Sequence, residues 1–251
     1  ETDVLSEEEI AVTIGKVDEV VEIELVNYFI KGNIALTKVD EDYPDNKLSD
    51  AVFEVYSDTN GDGKLDKDDT LLGEMKELDG GVYQMSELRY GKYLVKETKA
   101  PTGFVLDENV YSVSVEENGK TYTVENKAGV GFINAAQKGS LKIVKTSSDG
   151  KVEDFSFRVT GVDYDQTFKT DKNGEIVIEG LRIGDYTVSE VSDKASAGYI
   201  LPADKQATVK VDATAIVQMH NEFRDTPKTG DDFNLGLWAV SYTHLRAHET
   251  K

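Results

Sequence analysis

The stretch that decides the fold is YLVKE at residues 93–97, which returns as YTVSE at residues 186–190. In both copies tyrosine, valine and glutamate stand two positions apart, so they share one face of a β-strand. Glu97 and Glu190 therefore lie on the side that their apolar neighbours bury. A slip of one residue would expose the whole apolar set, so this facing is strongly enforced. The pattern predicts two strands that each carry a buried glutamate.

A lysine and an asparagine accompany each glutamate with the same facing. The lysine precedes the glutamate in the chain and the asparagine follows it, and each ends a run of alternating apolar residues. A lone buried lysine or glutamate is costly, so three polar types buried together in two copies indicate a chemical role. The alternative is a hydrogen-bonded Lys–Glu pair beside an asparagine that caps a turn. The first triad is Lys38, Glu97 and Asn134, and the second triad is Lys145, Glu190 and Asn221.

The composition excludes several classes of function. The 251 residues carry a formal charge of −20 and a pI near 4.5, which argues against nucleic acid or an anionic membrane as partner. The chain has no cysteine, so it has neither disulfides nor a thiolate site. No nucleophile–base pair is apparent, and His220 is the only histidine before residue 241. We therefore expect a protein that is not an enzyme in the usual sense.

The fold class follows from short alternating segments separated by Gly, Asn and Asp turns, with no convincing helical periodicity. Strands at this spacing predict an all-β protein of tandem Ig-like, prealbumin-like antiparallel β-sandwich domains. We place these domains at residues 31–137 and 138–224. Residues 1–30 are interpreted as the last strands of a truncated preceding β-domain. There, Asn27 stands four positions before Lys31, as Asn134 stands before Lys138, so its lysine partner would lie upstream of the chain.

The second half of the first repeat resembles a known family. The stretch Tyr93–Phe104, YLVKETKAPTGF, is similar to the E-box of Gram-positive pilins and collagen-adhesin B-type domains, which are often called SpaA-type. The resemblance covers residues 31 to about 224. The second copy is looser, because the Ala-Pro pair is missing and Gly198 stands eight positions after Glu190, whereas Gly103 stands six positions after Glu97.

In that family such triads form an intramolecular isopeptide bond, and the resemblance implies the same here. Burial lowers the pKa of a lysine and raises that of a glutamate. The neutral amine of Lys38 then attacks the side-chain carbonyl carbon of Asn134. Protonated Glu97 polarises that carbonyl and shuttles protons as ammonia leaves. Glu190 would serve as the catalytic residue for Lys145 and Asn221, and each reaction is a single turnover.

An acidic insertion distinguishes the first repeat. Lys145 follows Lys38 by 107 positions but Glu190 follows Glu97 by only 93, so about 107 − 93 = 14 residues are inserted. Residues 58–69, DTNGDGKLDKDD, match the spacing of a calcium-binding loop, except that aspartate replaces glutamate at the last position. A solvated acidic hairpin is the alternative. The predicted Ca²⁺ ligands are Asp58, Asn60, Asp62, the Lys64 carbonyl, Asp66 and Asp69.

The C-terminal part resembles a sorting signal. Residues 226–230, TPKTG, are similar to LPxTG with threonine replacing leucine, and the resemblance implies cleavage by a sortase between the last two residues. We interpret residues 225–240 as this signal followed by a truncated apolar anchor. Residues 241–251 read as a tail that is not native. The predicted sortase signal consists of Thr226, Pro227, Lys228, Thr229 and Gly230.

These features together predict the structural stalk of a wall-anchored adhesin or minor pilin, secreted and displayed on the cell wall. Its expected partners are a sortase and either peptidoglycan or pilin subunits. The alternative is a module that binds a host ligand, either a matrix protein or a glycan. The segment Tyr43-Pro44-Asp45 lacks the lysine that backbone pilins carry in a similar motif, which favours a stalk, a minor pilin or an adhesin.

Overall fold

The structure of the protein is a computed structural model that describes residues 3–4, 9–18 and 20–224. These residues form nineteen strands and no helix, which confirms the predicted all-β class. Accordingly, no helix in the described ranges is long and apolar enough to cross a membrane. The first eleven strands are β1 (Asp3–Val4), β2 (Tyr28–Phe29), β3 (Lys31–Asp40), β4 (Val52–Ser57), β5 (Thr70–Glu74), β6 (Lys76–Asp79), β7 (Val82–Arg89), β8 (Gly91–Lys99), β9 (Val110–Val115), β10 (Thr121–Thr123) and β11 (Phe132–Asn134). The others are β12 (Lys138–Ser147), β13 (Ser156–Gly161), β14 (Tyr164–Lys169), β15 (Glu175–Arg182), β16 (Gly184–Glu190), β17 (Tyr199–Ile200), β18 (Lys205–Val209) and β19 (Thr214–Phe223).

The strands assemble into five sheets, and most of their pairings are antiparallel. One sheet holds only β1 and β2, and another runs β10-β3-β7-β6 with β11 also paired to β3. The remaining three sheets run β5-β4-β8-β9, β15-β12-β19-β17 and β14-β13-β16-β18.

The described residues divide into two compact units. The first unit runs to Leu141 and includes Val177–Tyr186 and Ala207–Ala215. The second unit consists of Lys142–Ile176, Thr187–Gln206 and the described residues from Ile216 onward. Each unit contains one complete triad.

The core of the first unit lies between its two large sheets. Phe53 on β4 contacts Tyr83 on β7 with ring centroids 5.2 Å apart, and it meets Phe132 edge-on at 5.0 Å. All three rings are at most 1% exposed. These aromatic contacts join the sheet of β4 to the sheet of β3, so the first unit is built as a β-sandwich.

The strand that carries Asn134 is short and pairs in parallel with β3. Its residues Phe132 and Asn134 lie opposite Lys38 and Asp40. Gly131 enters the strand at a φ of 133°, and a Cβ added there would lie 2.8 Å from the carbonyl oxygen of Thr37. The sequence therefore needs glycine at this point to bring β11 close enough to pair.

In the second unit, aromatic contacts link the segment before β13 to β17, and link β17 to its sheet neighbour β19. Phe155, just before β13, meets Tyr199 on β17 with centroids 5.2 Å apart, and Tyr199 meets Phe223 on β19 at the same distance. Strand β18 ends at Val209, although the alternation of apolar residues continues to Val211. The chain turns there because Asp212 adopts a φ of 51°, and Val211 is half exposed.

The segment before β2 is mostly irregular. Residues 9–18 and 20–27 contain no strand, and Asn27 is exposed. Leu25 in the same segment is 73% exposed. The interpretation of residues 1–30 as the end of a preceding domain therefore stays a prediction, as does the pairing of Asn27 with an upstream lysine.

Candidate functional site

The first triad is assembled from three strands whose apolar alternation points the polar side chains inward. Lys38 lies on β3, Glu97 on β8 and Asn134 on β11. Lys38 and Glu97 are fully buried and Asn134 is 3% exposed. The alternating pattern that buries Ile34 and Leu36 on β3 thus continues through the lysine.

The three side chains of the first triad contact one another directly. The Lys38 Nζ donates a short hydrogen bond to Asn134 Oδ1 and lies 3.3 Å from Glu97 Oε1. The Asn134 Nδ2 donates to both oxygens of Glu97, at 2.9 and 3.0 Å. The amide oxygen thus faces the lysine and the amide nitrogen faces the glutamate.

Aromatic rings surround the lysine and exclude water from it. The Nζ of Lys38 lies 4.6 Å from the ring centroid of Phe132 and 6.0 Å from that of Phe53. Desolvation lowers the pKa of Lys38 to about 8, against the opposing attraction of Glu97. A larger share of this lysine is therefore a neutral, nucleophilic amine near neutral pH than of an exposed lysine.

The group that orients Glu97 is a backbone N–H that no sequence pattern marks. The backbone N–H of Asp107 donates to Glu97 Oε2 at 2.8 Å, so each carboxylate oxygen has a defined partner. Asp107 lies in the loop between β8 and β9, and no periodic pattern marks it. Only the tertiary structure brings this backbone group to the triad.

The second triad also comes together, but Glu190 is only half-buried, unlike the buried glutamate that the sequence predicted, and Lys145 points elsewhere. Asn221 Nδ2 donates to Glu190 Oε1 at 2.6 Å. The Nζ of Lys145 instead donates to the carbonyl oxygen of Thr146 at 2.6 Å and lies 4.2 Å from the ring centroid of Phe155. This site therefore has the acid–amide contact of the first triad without its lysine–amide contact.

Two buried oxygens of the second triad lack a hydrogen-bond partner among the described residues. They are Glu190 Oε2 and Asn221 Oδ1. Desolvation raises the pKa of Glu190, opposed by its hydrogen bond from Asn221, and desolvation also lowers the pKa of Lys145. Both shifts disfavour charge in this pocket, and a buried unpaired acceptor is costly. The free amide oxygen is therefore a ready acceptor for Lys145.

The acidic insertion forms a loop that closes on itself through its carboxylates. Asp58, which is 7% exposed, accepts hydrogen bonds from the N–H groups of Gly61 at 2.7 Å and Gly63 at 3.1 Å. Asp69 accepts from the N–H groups of Thr59 at 3.1 Å and Asp66 at 2.9 Å. The first and last predicted ligands thus tie the two ends of the loop together.

The donor set of this loop suits a hard cation, because all predicted ligands are oxygens. Asn60 and Asp62 each accept from a backbone N–H two residues further on, at 3.0 and 2.8 Å. In the part of the chain that the structure describes, however, no three Asp, Glu, His or Cys side chains are grouped as metal ligands. Calcium binding therefore stays a prediction.

The predicted sortase signal, Thr226 to Gly230, lies outside the described residues, as do the rest of residues 225–240 and the tail 241–251. The anchoring prediction rests on sequence alone.

Comparison with known proteins identifies the family of both repeats. Residues 32–128 and 139–223 match the SpaA family, described as a prealbumin-like fold domain. A search of curated proteins found no match. Each matched segment contains the lysine and the glutamate of one triad.

Several solved structures are similar to the chain. The Bacillus anthracis TIE protein matches 79% of the chain with 24% identity and a TM-score of 0.58. GBS52, the minor pilin of Streptococcus agalactiae, matches 78% at 15% identity and a TM-score of 0.35, over 98% of its own chain. The pilus adhesin SpaC from Lactobacillus rhamnosus GG matches 79% at 14% identity and a TM-score of 0.47, over 32% of its chain.

The chain spans about a third (35%) of the TIE protein. At this identity the likeness shows the fold, and the fold agrees with the two family matches. By these two matches, over residues 32–128 and 139–223, the chain belongs to the SpaA family of prealbumin-like fold domains.

Proposed function

We propose that this chain is a stalk segment of an adhesin or minor pilin on a Gram-positive cell surface, stiffened by Lys–Asn isopeptide bonds. The observation that carries the proposal is the contact geometry of the first triad. A buried lysine, a carboxylate and a carboxamide lie within hydrogen-bond distance of one another. Burying charged groups is costly even when they are paired, so a buried cluster of this kind favours a structural or chemical role.

The contacts of the first triad support a definite order of proton transfers. Glu97 takes a proton from Lys38, whose Nζ lies 3.3 Å away, and the free amine attacks Cγ of Asn134. Glu97 then delivers that proton to Nδ2 of Asn134, 2.9 Å from its Oε1. The Cγ–Nδ2 bond breaks, ammonia leaves, and the Glu97 carboxylate takes the second proton from the former Lys38 nitrogen, so one ammonium group and one primary amide become one secondary amide, one ammonia and a proton held on Glu97. In this mechanism Glu97 acts at the amide nitrogen of Asn134, whereas the family resemblance implied that it polarises the carbonyl oxygen.

The bond would stabilise the fold by restricting the unfolded chain. Lys38 and Asn134 are 96 residues apart in sequence. A cross-link that closes a loop of this length contributes about 4–5 kcal/mol if the chain-entropy estimate for disulfides applies. Unlike a disulfide, an amide is not broken by thiols, which suits a chain that has no cysteine and acts outside the cell.

The second triad supports the same reaction after one rearrangement. Lys145 must leave the Thr146 carbonyl and turn to the unpartnered Oδ1 of Asn221. A rotation of a flexible side chain is small compared with refolding a strand. We therefore propose that the second triad forms the same kind of bond, more slowly because Lys145 must first rotate toward Asn221.

We also propose that the loop at residues 58–69 binds Ca²⁺. Asp58, Asn60, Asp62, Asp66 and Asp69 would hold the ion with the carbonyl oxygen of Lys64. Bound calcium would neutralise the clustered carboxylates and stiffen the loop. The oxygen-only donor set and the two glycines with φ near 75° support a compact loop of this kind.

The anchoring part of the proposal rests on residues 226–230. A sortase would cleave after Thr229 and join it to peptidoglycan or to a pilin subunit. A Thr229→Ala variant, fused to a full-length apolar anchor and basic tail, should stay with the membrane fraction. The unsubstituted fusion should become releasable only by wall hydrolases, and equal behaviour of the two would contradict the anchoring assignment.

Intact mass of the whole chain tests the central proposal. The wild type should be lighter than its sequence mass by two molecules of ammonia, one for each triad. Glu97→Ala and Glu190→Ala should each remove one of these losses. A wild-type mass equal to the sequence mass would overturn the proposal.

A further inference from the structure

The side chain of Asn126 pairs with the backbone of the strand that carries Asn134. Its Oδ1 accepts from the N–H of Ile133 at 2.6 Å, and its Nδ2 donates to the carbonyl oxygen of the same residue at 2.9 Å. Ile133 is the central residue of β11, directly before Asn134. This two-point contact reproduces the pairing that a neighbouring strand would supply.

The three-residue strand β11 depends on this contact. Its only strand neighbour among the described residues is β3, so one edge lacks a ladder partner. The amide of Asn126 occupies that edge and satisfies both backbone groups of Ile133. Since a slip of one residue would turn Asn134 away from Lys38, fixing this backbone fixes the reacting amide.

The same amide is connected to the catalytic glutamate. The second hydrogen of Asn126 Nδ2 is donated to Asp107 Oδ2 at 2.8 Å, and the backbone N–H of Asp107 donates to Glu97 at 2.8 Å. Tyr111 donates to the same Asp107 oxygen at 2.7 Å, and its ring meets Phe132 edge-on at 5.1 Å. A continuous chain of contacts therefore links the acid to the strand of its substrate amide.

We propose that Asn126 is a positioning residue for isopeptide formation at the first triad, acting through the backbone of β11 and through Asp107. The inference rests on the proposed function. Intramolecular reactions gain rate from exact placement, and a misplacement of about 1 Å costs up to about 100-fold. Asn126 touches neither reacting atom, but it sets where the Asn134 amide lies relative to Lys38 and Glu97.

The second triad provides an internal control. Asn221 lies within β19, a strand of ten residues with hydrogen-bonded neighbours on both sides in its sheet. An ordinary ladder therefore holds Asn221, and no side-chain clamp of the Asn126 type is required. Loss of Asn126 should affect bond formation at the first triad only.

The test is a time course of the whole chain made by cell-free synthesis, stopped with acid and digested. Mass spectrometry then measures the branched peptides that join Lys38 to Asn134 and Lys145 to Asn221. Asn126→Ala should slow the first by about ten-fold or more and leave the second unchanged. The matched control is Asn118→Ala, which also removes a side-chain bond to a backbone N–H, that of Lys31 at 3.1 Å. It should leave both rates unchanged.

To distinguish slower bond formation from a loss of folding, Asn126→Ala is also made in a Glu97→Gln background, where the first bond cannot form. A cooperative unfolding transition for the first unit there, together with the slowed rate, supports positioning. If Asn126→Ala does not fold, Asn126→Asp decides, because it keeps the acceptor for Ile133 and loses the donors. A folded variant that forms the first bond at the wild-type rate overturns the inference. Absence of both branched peptides from the wild type overturns the proposed function, and this inference with it.

Discussion

Replacing Glu97 by glutamine gives the sharpest test of how the first triad stabilises the protein. Glutamine keeps the size of the side chain, but it cannot take a proton from Lys38 or return one to Asn134. The variant should therefore lose one ammonia instead of two. The bond at the second triad should form as before.

The size of the effect follows from the sequence separation of the linked residues. Removing a cross-link over 96 residues costs about 4–5 kcal/mol of unfolding free energy by the chain-entropy estimate. For a domain of this size, about 4–8 °C of thermal midpoint correspond to each kcal/mol, so the midpoint should fall by roughly 16–40 °C. The variant also leaves the Lys38 amine buried without its carboxylate, which adds to the loss.

A double variant separates these two contributions. Lys38→Met combined with Glu97→Gln removes the bond and both charges, so it should show the loss of the cross-link alone. Differential scanning calorimetry of the whole chain measures the unfolding transitions. Glu190→Gln, the matched variant of the second triad, shows which transition belongs to which unit. Two ammonia losses in Glu97→Gln, or one loss with an unchanged midpoint, would refute the reasoning.

Three further predictions concern other parts of the molecule. An Asn134→Leu variant cannot form the bond and keeps a buried Lys38 amine, whose pKa is lowered to about 8 in the folded protein. Between that value and 10.5 the unfolded chain binds more protons than the folded protein, so the denaturant midpoint of unfolding should rise from pH 8 to pH 10. Adding Lys38→Met should abolish this rise. Calcium should raise the thermal midpoint of the first unit. When the free calcium concentration is 100 times the dissociation constant, the unfolding free energy should increase by about 2.7 kcal/mol. Asp62→Ala should remove this effect, whereas Asp68→Asn, which lies outside the predicted ligands, should keep it. If calcium stabilised both variants equally, the effect would be charge screening. Because Lys145 starts on the Thr146 carbonyl, the second branched peptide should appear later than the first in a synthesis time course, and simultaneous appearance would contradict this reading.

Much of the architecture could be predicted because alternation fixes which face of a strand is buried. The all-β class is confirmed, and the triad residues lie in the interior as predicted, except for Glu190, which is only half-buried. Alternation does not say which strands become neighbours, so the parallel pairing of β11 with β3 was not predicted. That pairing depends on Gly131 and on packing against Phe53, which are tertiary effects.

The contacts around the triads could not be predicted from the sequence for a related reason. Asn126 and Asp107 lie in irregular segments, where no period relates a residue to the strand it will touch. The orientation of Lys145 is a choice among rotamers, set by the Thr146 carbonyl and the Phe155 ring. Sequence patterns identify the face of a side chain but not its final partner.

The 96-residue separation of Lys38 and Asn134 has a mechanical consequence for a chain under tension. A covalent link between these side chains would carry a pulling force directly from β3 to β11. The intervening segment, whose fully extended length is roughly 320–350 Å, would then add nothing to the extension of the molecule. The acidic loop at residues 58–69 lies inside that bypassed segment. It would remain folded while the chain outside the cross-linked segment is stretched.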